Sequence, residues 1–212
     1  KIIGSTAIIL VGLSYGDAYY LKFGIDLLKK ILNFSLDVSS FPKSRNLRQL
    51  VFYLKYIIVI RELLKESQNT IPEFLDETIF YLGKSYNLLC ANKGNGMLFN
   101  GNFEEPNKEF DNYLNFHKYK FKDDTNETGG YVVLKNKKFL LAVDIGKSPD
   151  KKFSKDYQAG VLSFEFNFSG EKVITNSGYF QDHRHQLNII SKSSATHSTL
   201  VLNNKSTVNF ER

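Results

Sequence analysis

Apolar residues recur with two different periods along the chain, and the period changes near residue 94. Before that point the spacing is helical, so that one face of each segment is apolar. A first amphipathic helix is predicted after the Gly16-Asp17 break, with an apolar face formed by four residues, Leu21, Ile25, Leu28 and Leu32. A second is predicted over residues 46–65. Helices of this length joined by loops favour stacked antiparallel hairpins.

The third predicted helix has a recognisable start. Thr70 and Glu73 have the spacing of a capping box, and Pro72 suits a first helical turn because the N–H that proline lacks would have no partner there. This helix is expected to run to about Cys90 and to stop at residues 92–94, where a glycine follows Asn and Lys.

After residue 94, apolar residues alternate with polar ones, which is typical of strands with one buried face. Strands are predicted at residues 131–134 and 139–143, joined as a hairpin by a polar turn. Along residues 162–168, leucine and phenylalanines alternate with polar residues, so the phenylalanines are expected to be buried and Glu165 to point away from them. Residues 172–176 and 198–202 give two further predicted strands.

These elements predict an α+β chain, with α-helical pairs followed by an antiparallel β-sandwich. We expect one structural unit over residues 1–95 and a second over residues 96–212, with a short helix near residues 110–116 in the connecting segment. The chain begins with Lys1 rather than Met, and residues 206–212 resemble an unfinished strand. It is therefore expected to be a piece of a longer protein.

Composition narrows the class of protein. The chain has 212 residues, of which 42% are hydrophobic and 24% charged, and this excludes wholesale disorder. The net charge of +6 is mild and scattered, so nucleic acid is not a favoured partner. Cys90 is the lone cysteine and cannot form an internal disulfide. The apolar run at residues 7–13 is too short for a membrane span, which needs about 20 residues.

The four histidines do not by themselves indicate a site. His117 lies among lysines and is expected to be solvated, His183 and His185 flank Arg184 in a polar loop, and His197 lies at the predicted start of a strand. No two of them have helical metal-ligand spacing, and no Gly-x-Ser-x-Gly sequence occurs. Composition, periodicity and spacing alone therefore assign no chemistry.

Several segments carry a family resemblance. In the second half these are Leu162-Ser163-Phe164-Glu165, residues 170–178 and Ala195-Thr196-His197-Ser198-Thr199-Leu200. Together they resemble the heparinase II/III family, most closely its α-proteobacterial heparinase-like members. In the first half, residues 44–46, 71–75 and 94–101 match the same proteins in the same order.

The resemblance implies an architecture that agrees with the periodicity. Family members have an incomplete α/α toroid followed by antiparallel β-sheets, with the substrate cleft between the two. This chain would hold the last helical pairs of the toroid and the first part of the sandwich. The resemblance also implies a place in the periplasm or cell envelope.

The activity implied by the resemblance is lysis of an acidic polysaccharide, such as a glycosaminoglycan, by β-elimination at a uronic acid. That reaction needs a group that neutralises the sugar carboxylate, a base for the C5 proton and an acid for the leaving oxygen. Family members use Asn or His against the carboxylate and Tyr or His as base and acid. Some also hold a structural divalent metal.

Carried onto this sequence, the resemblance gives Gln158 and His197 as catalytic candidates, and Tyr157 is added to them as the direct neighbour of Gln158. Gln158 replaces a family histidine, and an amide cannot act as a base near neutral pH. His197 keeps its identity among the expected metal ligands, whereas Asn176 replaces an aspartate. A structural divalent metal at His197 therefore stays open.

Four further residues are candidates for substrate binding. His183, Arg184 and His185 lie in one loop, where Arg184 would pair with a carboxylate or sulfate, and Asn176 would orient that loop. Because Gln158 departs from the family pattern, whether the chain is an enzyme is left open. The alternative function is a non-catalytic acidic-glycan-binding or envelope-polysaccharide protein that keeps the family fold.

Overall fold

The structure is a computed structural model that describes residues 1–91, 96–103, 108–122, 124–180, 182 and 184–208. Its helices are α1 (Ile2–Tyr15), α2 (Ala18–Ser35), α3 (Leu47–Glu66), α4 (Glu73–Leu89), α5 (Lys108–Phe116) and α6 (Leu187–Ile190). Its strands are β1 (Glu127–Thr128), β2 (Tyr131–Lys135), β3 (Phe139–Asp144), β4 (Phe164–Phe168) and β5 (Glu171–Ile174). Helices followed by an antiparallel sheet confirm the predicted fold class. The expected boundary near residue 95 and the expected helix stop at residues 92–94 lie outside the described residues.

The first helical pair turns within two residues. Gly16 ends α1 in the left-handed conformation (φ 65°), which a residue without a Cβ adopts readily. The Asp17 side chain then accepts hydrogen bonds from the backbone N–H groups of Tyr19 and Tyr20 and begins α2. The two helices pack against each other, and α1 precedes the first helix that the sequence analysis predicted.

The second pair, α3 and α4, starts differently from the prediction in one respect. Asn46 caps α3 as its side chain accepts from the N–H groups of Arg48 and Gln49. The capping box predicted at Thr70 and Glu73 is wrong, because α4 begins at Glu73 with Pro72 at the capping position and no side-chain hydrogen bond there. Thr70 therefore precedes the helix by too many residues to cap it.

The five strands form one antiparallel sheet in the sequential order β1-β2-β3-β4-β5. The predicted hairpin is present as β2 and β3, in a register that pairs Val133 with Ala142. The strand predicted at residues 198–202 is wrong, since in the described residues this segment contributes only an isolated bridge between Leu202 and Lys205. His197 accordingly ends a 3-10 turn, Ser194–Thr196, instead of starting a strand.

The burial predicted along β4 is inverted. Glu165 is 2% exposed, whereas Phe168 is 49% exposed and Leu162 53% exposed. The register explains this, because Glu165 lies beside Ala142, and Ala142 lies beside Val133, on the sheet face that packs against the helices. Alternation along a strand identifies two faces, and the neighbouring strands decide which of them is covered.

One continuous core joins the helices to the sheet. Buried residues of α2, α3 and α4 belong to the same apolar cluster as Phe99, Tyr131, Val133 and Ala142. His117 packs against α3 and α5 rather than being fully solvated, since its Nδ1 lies 3.4 Å from Glu62 Oε2 and its ring contacts Tyr113. None of the described helices is long and apolar enough to cross a membrane.

Candidate functional site

Arg45 ties the helical part to the sheet. It lies between α2 and α3 in the left-handed conformation (φ 56°), and its guanidinium points at the end of the sheet. There it donates to Asp144 Oδ1 at 2.6 Å and to the carbonyls of Gly129 and Gly130 at 2.9 and 3.1 Å. Every one of these partners lies on or beside β2 and β3, so Arg45 fixes how the N-terminus of α3 meets the sheet.

The Asp144 carboxylate is shared between several donors. Besides Arg45, it accepts from the backbone of Gly146 at 3.1 Å and from Asn100 Nδ2 at 3.0 Å. A Cβ at Gly146 would come within 2.4 Å of the Arg45 guanidinium, so the close approach requires glycine there. This buried ion pair is well supplied with hydrogen bonds, which is the condition under which a buried pair is tolerated.

Asn46 and Gln158 lie on either side of Gly101. The Gln158 Oε1 accepts from the Gly101 N–H at 3.0 Å. A Cβ at Gly101 would come within 2.7 Å of Asn46 Nδ2 and 2.9 Å of the Asp156 carbonyl. Asn46 Nδ2 is buried, with no hydrogen-bond partner among the described residues. The start of α3, the segment at residue 101 and the segment at residues 156–158 therefore meet at one place.

All described hydrogen bonds of the Gln158 side chain are to backbone groups. Its Nε2 donates to the carbonyls of Gly178 and Ser191 at 2.8 and 3.0 Å, while its Oε1 accepts from Gly101. The side chain is 1% exposed. It joins three loops, and none of its described polar contacts faces an open space.

Tyr157 is buried beside the Arg45–Asp144 pair. Its hydroxyl accepts from Ser148 Oγ at 3.3 Å, and the side chain is 2% exposed. Burial, chiefly, raises the pKa of Tyr157, with the Asp144 charge adding to the effect. Tyr157 therefore keeps its proton near neutral pH.

His197 shares an acceptor with Gln158. Its Nε2 lies 2.8 Å from the Ser191 carbonyl, which can only accept, so Nε2 carries the proton in this arrangement. Burial lowers the pKa of His197, which is therefore neutral at pH 7. Gln158 and His197 therefore meet at the Ser191 carbonyl.

Asn176 belongs to a different cluster. Its Oδ1 accepts from the Ser198 N–H at 3.0 Å, and its N–H and Nδ2 donate to Glu165 Oε1 at 3.1 and 3.2 Å. The same Glu165 oxygen accepts from the Leu98 N–H at 3.0 Å. Burial raises the pKa of Glu165, although these hydrogen bonds act in the opposite direction. Asn176 thus shares no hydrogen-bond partner with Gln158 or His197 among the contacts described.

The loop candidates are on the surface. Arg184 and His185 are exposed, and the His185 ring stacks on Phe180 with centroids 4.6 Å apart. The Arg184 N–H donates to Asp182 Oδ1 at 2.9 Å. His183 lies outside the described residues.

The residues described do not fit the divalent metal that the family resemblance implies. Among them, no three His, Cys, Asp or Glu side chains are grouped closely enough to hold an ion. The Nε2 of His197 donates to the Ser191 carbonyl and is not available as a ligand, and the Oδ1 of Asn176 already accepts from Ser198.

Sequence reasoning missed Arg48. Its guanidinium lies against two rings, 4.7 Å from the Tyr179 centroid and 5.2 Å from the Phe103 centroid. Within the described ranges it forms no ion pair, and its buried Nε has no hydrogen-bond partner. Burial lowers the pKa of Arg48, and the neighbouring Asp156 and Tyr179 oppose this in part. A signal was present, because a cation in the first turn of a helix opposes the helix dipole and must be retained for another reason.

Arg48 also lines a cavity of about 220 Å³ on the side of α3. The other lining residues are Val51, Phe52, Lys55, Cys90, Gly96, Asn102 and Phe103. Two cations, one amide and several apolar side chains make a site suited to an anionic ligand that also has an apolar surface.

Comparison with known structures places this fold among heparinases. A heparinase III gene product is 16% identical and superposes with a TM-score of 0.83 over 97% of this chain and 37% of its own. The heparan sulfate lyase HepC from Pedobacter heparinus, as a mutant, gives 13% identity and a TM-score of 0.81, over 97% of this chain and 37% of that one. The chain thus spans little more than a third of these proteins. A comparison with curated protein sequences gives no significant match.

The fold and the family match of the sequence indicate the same class of protein. An antiparallel sheet that follows helical pairs has the arrangement of the heparinase III structures. Residues 124–212 also match the family described as heparinase II/III-like, C-terminal. The resemblance found in the sequence is confirmed to this extent: residues 124–212 match the heparinase II/III-like, C-terminal family, and the chain has the fold of the corresponding part of heparinase III.

Proposed function

We propose that the chain is part of a polysaccharide lyase-like protein that recognises a uronic-acid-containing acidic polysaccharide where α3 begins. The observation that carries this proposal is Arg48, a cation without a described ion-pair partner on the wall of a cavity. Two of the similar structures are of one protein, HepC, which is a heparan sulfate lyase by its name, and such a substrate is acidic.

The chemistry of β-elimination assigns a role to Arg48. The C5 proton of a uronic acid is removed easily only if the carboxylate beside it is stabilised as negative charge develops there. A guanidinium can donate two parallel hydrogen bonds to a carboxylate. Arg48 is held between the rings of Phe103 and Tyr179, which limits its motion and prepares it for such a partner.

Tyr179 is the ionisable side chain in contact with Arg48 that can take part in proton transfer. It is 9% exposed, and burial, above all, raises its pKa although Arg48 acts in the opposite direction. It therefore keeps its proton near pH 7 and suits the role of the acid that protonates the leaving oxygen. The Tyr179 oxygen that has lost this proton takes the C5 proton in exchange, so the elimination returns Tyr179 to its starting form. In this proposal Tyr157, Gln158 and His197 position the surrounding loops, and Arg184 and His185 contact the glycan further along its length.

The second candidate function, a non-catalytic acidic-glycan-binding protein, is favoured by Gln158. Where the family resemblance places a histidine, this chain has an amide whose hydrogen bonds all go to backbone groups. Binding at Arg48 would then continue without elimination. The two candidates share the binding site and differ only in whether a product forms.

The complete gene product should be incubated with a panel of uronic-acid polysaccharides while the absorbance of unsaturated products is followed, and glycan binding should be measured in parallel. Arg48→Ala is expected to weaken binding by about tenfold or more, the range expected for a lost hydrogen bond to a charged group. Lys30→Ala, which removes an exposed lysine of α2 away from the cavity, is the matched control.

The outcomes separate the candidates. Unsaturated product supports the lyase, and Tyr179→Phe should then lower kcat more than it raises KM. Binding without product supports the non-catalytic protein. A folded gene product that neither binds nor cleaves any member of the panel contradicts both.

A further inference from the structure

The cavity on α3 extends away from Arg48 toward Lys55. The two residues are seven positions apart in one helix, close to two full turns, so they lie on the same face. A rise of 1.5 Å per residue separates their backbones by about 10 Å along the helix axis. That separation leaves room for a sugar ring between the two cations, so the cations can contact anionic groups on different units of a sugar chain.

The surface between the two cations is apolar with a polar edge. Val51 and Phe52 form part of α3 there, and Phe103 faces them from the neighbouring segment with Asn102 beside it. The C–H face of a sugar packs against apolar and aromatic side chains, while its hydroxyl groups need partners such as an amide. The lining therefore suits a sugar ring better than an inorganic anion, which has no apolar surface to bury.

The charges at the two ends are available to a ligand. Within the ranges that the structure describes, neither Arg48 nor Lys55 forms an ion pair, whereas Arg45, Arg61, Lys65 and Lys84 all do. Lys55 is exposed and Arg48 is half-buried. An anion at Arg48 would be largely desolvated and one at Lys55 would stay hydrated, so Arg48 should dominate affinity and Lys55 should add to it.

We propose that the groove between Arg48 and Lys55 is a subsite that binds an acidic sugar chain longer than a disaccharide, with an anionic group of one unit on Arg48 and an anionic group at least two units further along the chain on Lys55. This inference rests on the proposed function and adds to it the direction in which the glycan lies along α3 and the least length of chain that fills the site.

Binding of a heparan sulfate disaccharide and a heparan sulfate tetrasaccharide to the complete gene product tests the subsite. The wild-type protein should bind the tetrasaccharide more tightly. Lys55→Ala should weaken tetrasaccharide binding up to about fivefold, as for an exposed charge pair, and leave disaccharide binding unchanged. Arg48→Ala should weaken binding of both, and Lys30→Ala should weaken neither. Circular dichroism of each variant checks that the fold is retained.

Each of the four possible results supports or contradicts the subsite. Loss on the tetrasaccharide alone supports the subsite. If Lys55→Ala behaves like Lys30→Ala while Arg48→Ala still loses affinity, the subsite is wrong and the proposed function stands. Equal loss on both lengths makes Lys55 a general source of positive charge and also overturns the subsite. If the wild-type protein binds neither length, the proposed function fails for this glycan and the subsite fails with it.

Discussion

Arg45 directly precedes the N-cap of α3, and Arg48 lies in the first turn of that helix. Their guanidinium groups have different partners. The Arg45 guanidinium donates hydrogen bonds to Asp144 and to two backbone carbonyls inside the protein. Arg48 lies against two rings and has an Nε without a described partner. The comparison shows that an arginine near a helix start stabilises the fold when its guanidinium is hydrogen-bonded to other groups of the protein. An arginine whose guanidinium lacks such partners remains available for a ligand. Variants at these two positions should therefore separate folding from binding.

Arg45→Ala is expected to have the largest effect. Removing one partner of a buried ion pair leaves the Asp144 charge without its main counterion, which costs about 3–5 kcal/mol. Urea unfolding of the purified variant measures the loss. Replacing both partners, with Arg45→Met and Asp144→Leu, should recover part of it because no buried charge then remains. A single variant within about 1 kcal/mol of the wild type would contradict the role given to Arg45.

Gln158→Ala should come second. The change leaves the Gly101 N–H and the Gly178 carbonyl without their described side-chain partner, at about 1–3 kcal/mol for each group that stays buried and unsatisfied. Gln158→Glu is the matched comparison, since it keeps the shape and the acceptor but loses the Nε2 donor. Thermal unfolding near neutral pH should rank the wild type above both variants and Gln158→Glu lowest, because its carboxylate would be buried against the Gly178 and Ser191 carbonyls. Unchanged stability in both variants would show that the loops at residues 101 and 178 are held by other contacts.

Arg48→Ala should change stability by less than about 1 kcal/mol, in contrast with Arg45→Ala. The ring contacts that it loses contribute about 0.5–1 kcal/mol each at exposed sites, and removing a cation from the first helical turn returns about 0.3–1 kcal/mol. The two effects oppose each other. Denaturant unfolding beside the glycan-binding measurement checks the contrast, and a stability loss as large as that of Arg45→Ala would mean that Arg48 is structural.

The smallest expected effect is the pH dependence at His197. Its pKa in the folded protein is lowered by burial below the ordinary value of 6.5, so the unfolded chain binds the proton more readily. The stability that the neutral ring contributes is complete above pH 6.5 and is lost as the pH falls through the folded pKa. The slope should be well below the ~1.4 kcal/mol per pH unit of one full proton. His197→Gln keeps a donor for Ser191 and should reduce the slope between pH 7 and pH 5, measured by urea unfolding at each pH. An identical slope in both proteins would show that His197 does not carry it.

Glu165 shows where prediction from the sequence succeeds and where it stops. The alternating pattern correctly indicates a strand with two different faces, and β4 covers most of it. The pattern cannot indicate which face is covered, since that depends on the partner strand and on the helices above it. The Glu165 carboxylate is tolerated inside because Leu98 and Asn176 donate to it, and both come from elsewhere in the chain.

In the candidate site too, some residues could be found from the sequence and others only from the structure. The segment at residues 156–158 was found through a family resemblance, and Gln158 and His197 do share the Ser191 carbonyl. Asn176 and the exposed loop at Arg184 and His185 were grouped with them only by proximity in sequence. Arg48 was missed because its role depends on Phe103 and Tyr179, which are distant in the sequence and come together only in the fold.

The sequence by itself determined the local structure and the family. Hydrophobic periodicity and capping residues act over a few neighbouring positions, so they set the helices, the β2–β3 hairpin and the change from α to β without reference to the rest of the chain. The tertiary structure alone decided which sheet face is buried, which arginine is closed off by Asp144 and which one lines the cavity. The physical reason is that burial and hydrogen-bond satisfaction are properties of contacts between distant residues, so two arginines only three positions apart in the sequence can meet different neighbours.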